Sequence, residues 1–172
     1  MSRFTELFKQ TQSALKADPS QAVAKFSVSS RGKDGLHRHV QIRDFGVEVD
    51  EPPVLGGTDR APNPVEYALA ALASCQEITY RLHADALGIP LNDVSVTLEG
   101  EIDLRGFFAA ADDVRPGFLR IEGKVAFDSP ATPEQLQHLK RVVDSHCPVL
   151  DLLRNNTPVQ ISIAEPGLRR AA

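Results

Sequence analysis

Thiols are scarce in this chain of 172 residues, which carries only two cysteines, Cys75 and Cys147. Two thiols so far apart in the sequence exclude a zinc ribbon, a Cys-x-x-Cys redox loop and a disulfide-rich scaffold. Three readings stay open: a catalytic thiol pair, a single structural disulfide, or two buried small residues with no chemistry. Long apolar runs are also missing. No segment approaches the roughly 18 uninterrupted apolar residues that mark a membrane span. The N-terminal stretch Met-Ser-Arg-Phe-Thr-Glu-Leu-Phe-Lys-Gln places charges every few residues and lacks the apolar region of a signal peptide. The compartment expected is therefore the cytosol, where thiols are kept reduced and a lasting disulfide is unusual. Basic excess is absent too: a net charge of -4 and a pI near 5.7 give no electrostatic reason to bind nucleic acid or an anionic membrane. The chain shows no internal repeat and no low-complexity segment.

What is present reads as one globular domain, with 42% hydrophobic and 24% charged residues supplying a core and a soluble surface. Residues 1–20 form a helical leader, 21–165 the domain and 166–172 a tail. Phe4, Leu7, Phe8 and Leu15 give the leader a loose helical period before Ala17-Asp18-Pro19-Ser20 breaks it. Ala22 to Val28 alternates as a strand, the polar Ser29 to Gly35 reads as a hairpin turn, and His37 to Arg43 returns as a second strand. Gly46 to Asp50 is a third. A loop rich in proline and glycine then leads to Asn63-Pro64-Val65-Glu66, an N-cap with proline first and Glu third.

The helix it opens should run to Leu87 and stop at Gly88. Val65, Ala68, Leu72, Cys75, Thr79, Leu82 and Ala86 recur at helical spacing, and alanines widen the apolar surface, so a central, closely packed helix is expected. Val94 to Leu104 and Phe118 to Phe127 alternate as an antiparallel pair, joined by an excursion, Arg105 to Gly117, too long for a tight hairpin. Thr132-Pro133-Glu134-Gln135 is a second capping box, opening a helix with Leu136, Leu139, Val142 and Val143 inward. Pro148 restarts helix as far as Arg154, and Pro158 to Ile163 reads as a last strand. Strands grouped rather than alternating with helices predict an α+β fold.

Each thiol has a bland and a chemical reading. Cys75, on the apolar stripe, fills space beside Leu72 and Thr79 or reacts. Cys147 precedes Pro148 at a helix start, where free amides and the helix dipole favour a thiolate, so residue chemistry alone makes it the more activated of the two. His146 beside it can carry charge or accept a proton. Glu66 is first a capping residue. On an ideal helix it lies nine residues from Cys75, roughly 13 Å along the axis and about half a turn out of phase. His37, Arg38, His39 and Arg43 make a cationic strand that lacks metal-ligand spacing and reads as a solvated face.

The block from Asp50 through Gly56-Gly57-Thr58-Asp59-Arg60-Ala61-Pro62-Asn63-Pro64-Val65-Glu66 to Ser74-Cys75 resembles the signature of the OsmC/Ohr family, named for osmotically inducible protein C and organic hydroperoxide resistance. Cys147-Pro148-Val149 followed by Leu152 is similar to its second cysteine motif, and the likeness spans about four-fifths of the chain. The resemblance implies an intertwined homodimer, with curved antiparallel sheets around long central helices and a site at the subunit interface. It implies thiol-dependent reduction of organic hydroperoxides without a cofactor, with an external dithiol as reductant. Cys75 is then the peroxidatic thiol, Cys147 resolves it as a disulfide, and an arginine of the N-terminal strands activates it. Arg38 is the first choice, with Arg31 and Arg43 as competitors. Val65 intervenes between Asn63-Pro64 and Glu66, where the hydroperoxide-resistance branch has the acidic residue directly. The leader and the Arg105–Gly117 excursion also lie outside the common core. Both point to an outlying branch. Two other classes fit the residues: a ligand-binding or structural dimer with little turnover, and a thiol hydrolase built on Cys147 and His146.

Overall fold

A computed structural model describes residues 3–164. Helix α1 (Arg3–Ala17) and a short 3-10 turn (Pro19–Ala22) precede a three-stranded meander, β1 (Ser29–Asp34), β2 (His37–Ile42) and β3 (Phe45–Val49). The long helix α2 (Pro64–Leu87) follows, then β4 (Asp93–Ile102), the single turn α3 (Leu104–Phe107), β5 (Phe118–Asp128), α4 (Pro133–His146) and α5 (Pro148–Arg154). Both sheets are antiparallel: β1-β2-β3 is one and β4-β5 the other. Helices α2, α4 and α5 pack together, with β4 laid along α2. The α+β class is as the residue pattern predicts.

The caps explain where the helices begin. Asn63 accepts from Glu66 N while Glu66 Oε2 accepts from Asn63 N at 2.7 Å, and Thr132 and Gln135 do the same for α4. Each box satisfies amides that the first helical turn leaves without carbonyl partners. Gly88 ends α2 in the left-handed region at φ 68°, a conformation that costs a residue with a Cβ.

The strands at either end of the domain differ from expectation. The first strand is Ser29–Asp34, not Ala22–Val28, so the turn shrinks to Gly35-Leu36. Ser29 to Gly32 pair with Gln41 to Arg38, and that ladder outweighs their turn-forming composition. Residues 23–28 and 158–163 have no ladder among the described residues, and their apolar side chains, Phe26 at 94% and Ile163 at 99%, stand in the open. The tail of residues 166–172 lies outside the described residues.

The core is small: Leu72, Tyr80, Ala84, Ile89, Leu91, Leu139, Val143 and Cys147 are buried, with β4 and β5 side chains packed against them. Tyr80 meets Phe127 edge to face at 5.1 Å. Helix α2 is thus buried along one side only, while Ala70, Ala71, Ser74 and Ile78 line an exposed side. Its alanine-rich circumference therefore remains partly unpartnered among the described residues.

Candidate functional site

Cys75 sits mid-way along α2 and Cys147 at the joint where α4 ends and α5 begins. Packing of α4 and α5 on α2 brings Cys147 Sγ to 3.5 Å from Cys75 Sγ, both thiols free. Cys147 is buried at 2% exposure, whereas Cys75 is half-buried. The two sulfurs therefore touch, with only the α2 thiol open to the surface.

The electrostatics do not follow the expectation for Cys147. Burial pushes its pKa up and Cys75 beside it adds to the rise, while the amides of Leu150 and Val149 at the start of α5 pull the other way without prevailing. Desolvation outweighs the helix terminus, so the start of α5 does not activate Cys147. It was not legible from sequence because the helix start is a local feature and burial is not.

Arg38 is turned toward its own hairpin, where its Nη1 donates to Gly35 O at 2.8 Å and His37 O at 2.9 Å. Arg43 adopts φ 54° and lies over the Phe45 ring at 5.1 Å, while Arg31 pairs in register with His39. Glu66 holds the α2 cap described above. Within the chain, then, the fold joins Cys75 to Cys147, and gives Arg38 and Glu66 partners of their own. His146 likewise has partners elsewhere: its Nδ1 lies 2.7 Å from Val142 O and its ring packs against His83.

Two groupings escaped the sequence. Buried Asp50 accepts from Thr58 Oγ1 at 2.6 Å and from the amides of Glu51, Thr58 and Arg60, folding the loop that delivers α2. The Thr58 hydroxyl leads these bonds in holding its pKa down to about 2. Gly57 is required there, since a Cβ would fall 1.8 Å from Glu51 O. On the sheet, Glu48 lies between His37 and His39, 2.7 Å from each, so two of the side chains of the supposed solvated cationic face are engaged by a carboxylate. The His39 hydrogen bond leads in lowering the Glu48 pKa. Among the described residues no group of three or more His, Cys, Asp or Glu can hold a metal ion, and no helix is long and apolar enough to cross a membrane.

A cavity of about 590 Å³ runs along β5 beside α4 and α5, floored by Leu72, Val96, Ile121 and Leu150. It shares Leu72 and Leu150 with the packing around the thiols but is not lined by either sulfur.

Fold and site together define an α+β protein with a dithiol at the meeting of three helices. The family model described as OsmC-like protein matches residues 57–162, and the chain belongs to that family. Solved structures agree on the fold. The OsmC-like protein of Mycoplasma pneumoniae superposes with a TM-score of 0.67 at 19% identity, covering 76% of this chain and 88% of its own. An organic hydroperoxide resistance protein OsmC of Legionella pneumophila gives 0.63 at 23%, covering 78% and 92%. That of Elizabethkingia anophelis, solved with thiocyanate bound, gives 0.63 at 22%, covering 78% and 91%. No curated protein matches.

Proposed function

We propose that this chain is a two-cysteine peroxidase acting on organic hydroperoxides. The contact of Cys75 and Cys147 sulfurs at 3.5 Å carries the proposal, and the hydroperoxide-resistance proteins among its structural relatives support it. The Cys75 thiolate attacks the terminal peroxide oxygen, the O–O bond breaks, and the leaving alkoxide takes a proton to give the alcohol. Cys75 is left as a sulfenic acid. Cys147 then attacks the Cys75 sulfur, water leaves, and a disulfide forms; the two electrons delivered to the peroxide come from the two thiols. An external dithiol restores both by exchange. The exposure of Cys75 and the burial of Cys147 favour this order, because the attacking thiol must meet substrate and the resolving thiol need meet only Cys75. No cofactor is needed for these steps. The cytosol, which keeps thiols reduced, suits the cycle.

The working unit in this reading is an intertwined homodimer. Among the described residues, 23–28 and 158–163 alternate in apolar character without a ladder, β5 has an edge free of backbone partners beside a cavity, and α2 exposes Ala70, Ala71, Ser74 and Ile78. A second copy that paired the loose strands and covered α2 would bury all three. Arg38 would then serve a thiol across the interface, and Glu66 would reach the site only from there.

Stopped-flow reaction of the reduced protein with a stoichiometric alkyl hydroperoxide tests the function. Loss of both thiols of each chain in one turnover is expected, and retention of free thiols at a large excess of peroxide contradicts it. The engagement of Arg38 by hairpin carbonyls favours one second reading, an OsmC-like ligand-binding or structural dimer with little turnover.

A further inference from the structure

The leader helix α1 lies outside the family match, yet it is seated on α2 at a defined place. Phe8 meets the His83 ring edge-on at 5.2 Å, and buried Thr5 donates its Oγ1 to Asp85 O at 3.0 Å. On its other side His83 faces His146, the last residue of α4, with ring centroids 5.1 Å apart. A carbonyl can only accept, so the His146 Nδ1 beside Val142 O carries a proton. His83 is thus held between an apolar ring from α1 and an ionisable ring from α4.

Among the described residues, the charges around His83 offer a proton there little compensation. From α4, the ionisable group facing His83 is His146, while Lys140 and Asp144 pair with each other at 2.6 Å. From α1, Phe8 and Thr5 contact α2 here, Phe4 shares a cavity wall with Ile78 and Leu82, and Glu6 is hydrogen-bonded by Gln10. On α2 itself, Asp85 lies 3.8 Å from Arg81. Burial first and His146 second push the His83 pKa down, as expected for an imidazole that is desolvated and faces another.

We infer that His83 is a proton-sensitive latch for the leader helix, which docks Phe8 on α2 while this ring is neutral and loosens when it is charged. The docked state binds fewer protons than the released one. Docking is therefore complete above the ordinary histidine value of about 6.5 and weakens as pH falls through it. Because His83 packs against His146, which directly precedes Cys147, the latch adjoins the joint that carries the buried thiol. It does not depend on the peroxidase reading.

Hydrogen exchange on the full chain, at about pH 7.5 and about pH 5.5 and corrected for the intrinsic pH dependence of exchange, tests it. In the wild type, α1 amides should lose protection by up to roughly tenfold at the lower pH, the limit for one extra proton over the one unit below about 6.5, while α2 and α4 hold theirs. His83→Phe keeps an aromatic ring on Phe8 but cannot be protonated, and should keep α1 protected at both pH values. If that variant loses α2 protection at the higher pH, His146→Gln decides, since without the facing charge the loss in α1 should be smaller than in the wild type. Equal α1 protection at both pH values in the wild type overturns the latch. So does an equal acid loss in the wild type and the variant that decides.

Discussion

Cys147 Sγ rests 3.5 Å from Cys75 Sγ, with the first sulfur sealed in the core and the second half open. A disulfide needs about 2.05 Å between sulfurs, so closure calls for a small approach of two packed helices. In the proposed cycle this asymmetry of exposure would give the two steps to different thiols, with Cys75 meeting substrate and Cys147 meeting only Cys75.

Substrate size should matter. A peroxide approaching Cys75 meets Ala71, Leu72, Ile78 and Thr79, of which Ile78 is 61% exposed. Apolar burial contributes about 0.8 kcal/mol per methylene, so a few methylenes amount to a preference of tens-fold for bulky organic hydroperoxides over hydrogen peroxide. Second-order rate constants for the two compare directly, and equal values would contradict an apolar approach.

Arg38 and Glu66 should separate by assay. A guanidinium near a thiolate favours the charged form, so Arg38→Ala should raise the reactive thiol's pKa and slow oxidation near neutral pH. Glu66→Gln preserves the acceptor of the α2 capping box and should barely move Tm. Asn63→Ala removes the reciprocal acceptor and should cost about 1 kcal/mol, or about 2–4 °C. Loss of reactivity in Glu66→Gln with an unchanged Arg38→Ala enzyme would reverse these roles and bring Arg31 or Arg43 forward.

Tyr80 is fully buried, and its hydroxyl has no hydrogen-bond partner among the described residues. Burial, reinforced by Asp144 and Cys147, pushes its pKa up to about 12, so it stays a neutral phenol. Removing an unsatisfied buried group costs little or stabilises, and Tyr80→Phe should leave stability level or raise it. Tyr80→Ala, which empties the core, should cost about 3–5 kcal/mol. Denaturant unfolding checks both; a Tyr80→Phe loss above about 1 kcal/mol would show that the hydroxyl has a partner such as a bound water.

Asp50 gives the loop before α2 an acid limit. Its carboxyl titrates at about 2 in the fold, below the ordinary value of about 3.9. The folded state therefore binds fewer protons there. Its contribution is complete above about pH 4 and is lost as pH falls toward 2. Amide exchange of Thr58 and Arg60, whose N–H groups Asp50 accepts, should quicken over that window and at all pH values in Asp50→Ala. Protection of both amides that is unaffected by Asp50→Ala would remove Asp50 from the loop's support.

Local chemistry made much of this fold readable. Asn63 with Glu66 and Thr132 with Gln135 mark two helix starts, and the alternation in β4 and β5 fixes their inward faces. What stayed hidden depends on partners distant in the chain. Ser29 to Asp34 is strand because β2 lies beside it, and Asp50 matters because Thr58 folds back onto it. The elevated pKa of Cys147 comes from burial that no motif encodes. His83 carries no local sign of meeting Phe8 and His146, since helices α1 and α4 bring those rings from opposite ends of the sequence.

The most direct measurement is peptide mapping of the reduced protein after treatment with one equivalent of an alkyl hydroperoxide. A peroxidatic Cys75 and a resolving Cys147 require one linked pair of peptides, joined through these two residues within a single chain and released by dithiol. Cys75 driven to sulfinic or sulfonic acid with Cys147 still free, or links formed only between chains, would contradict the cycle.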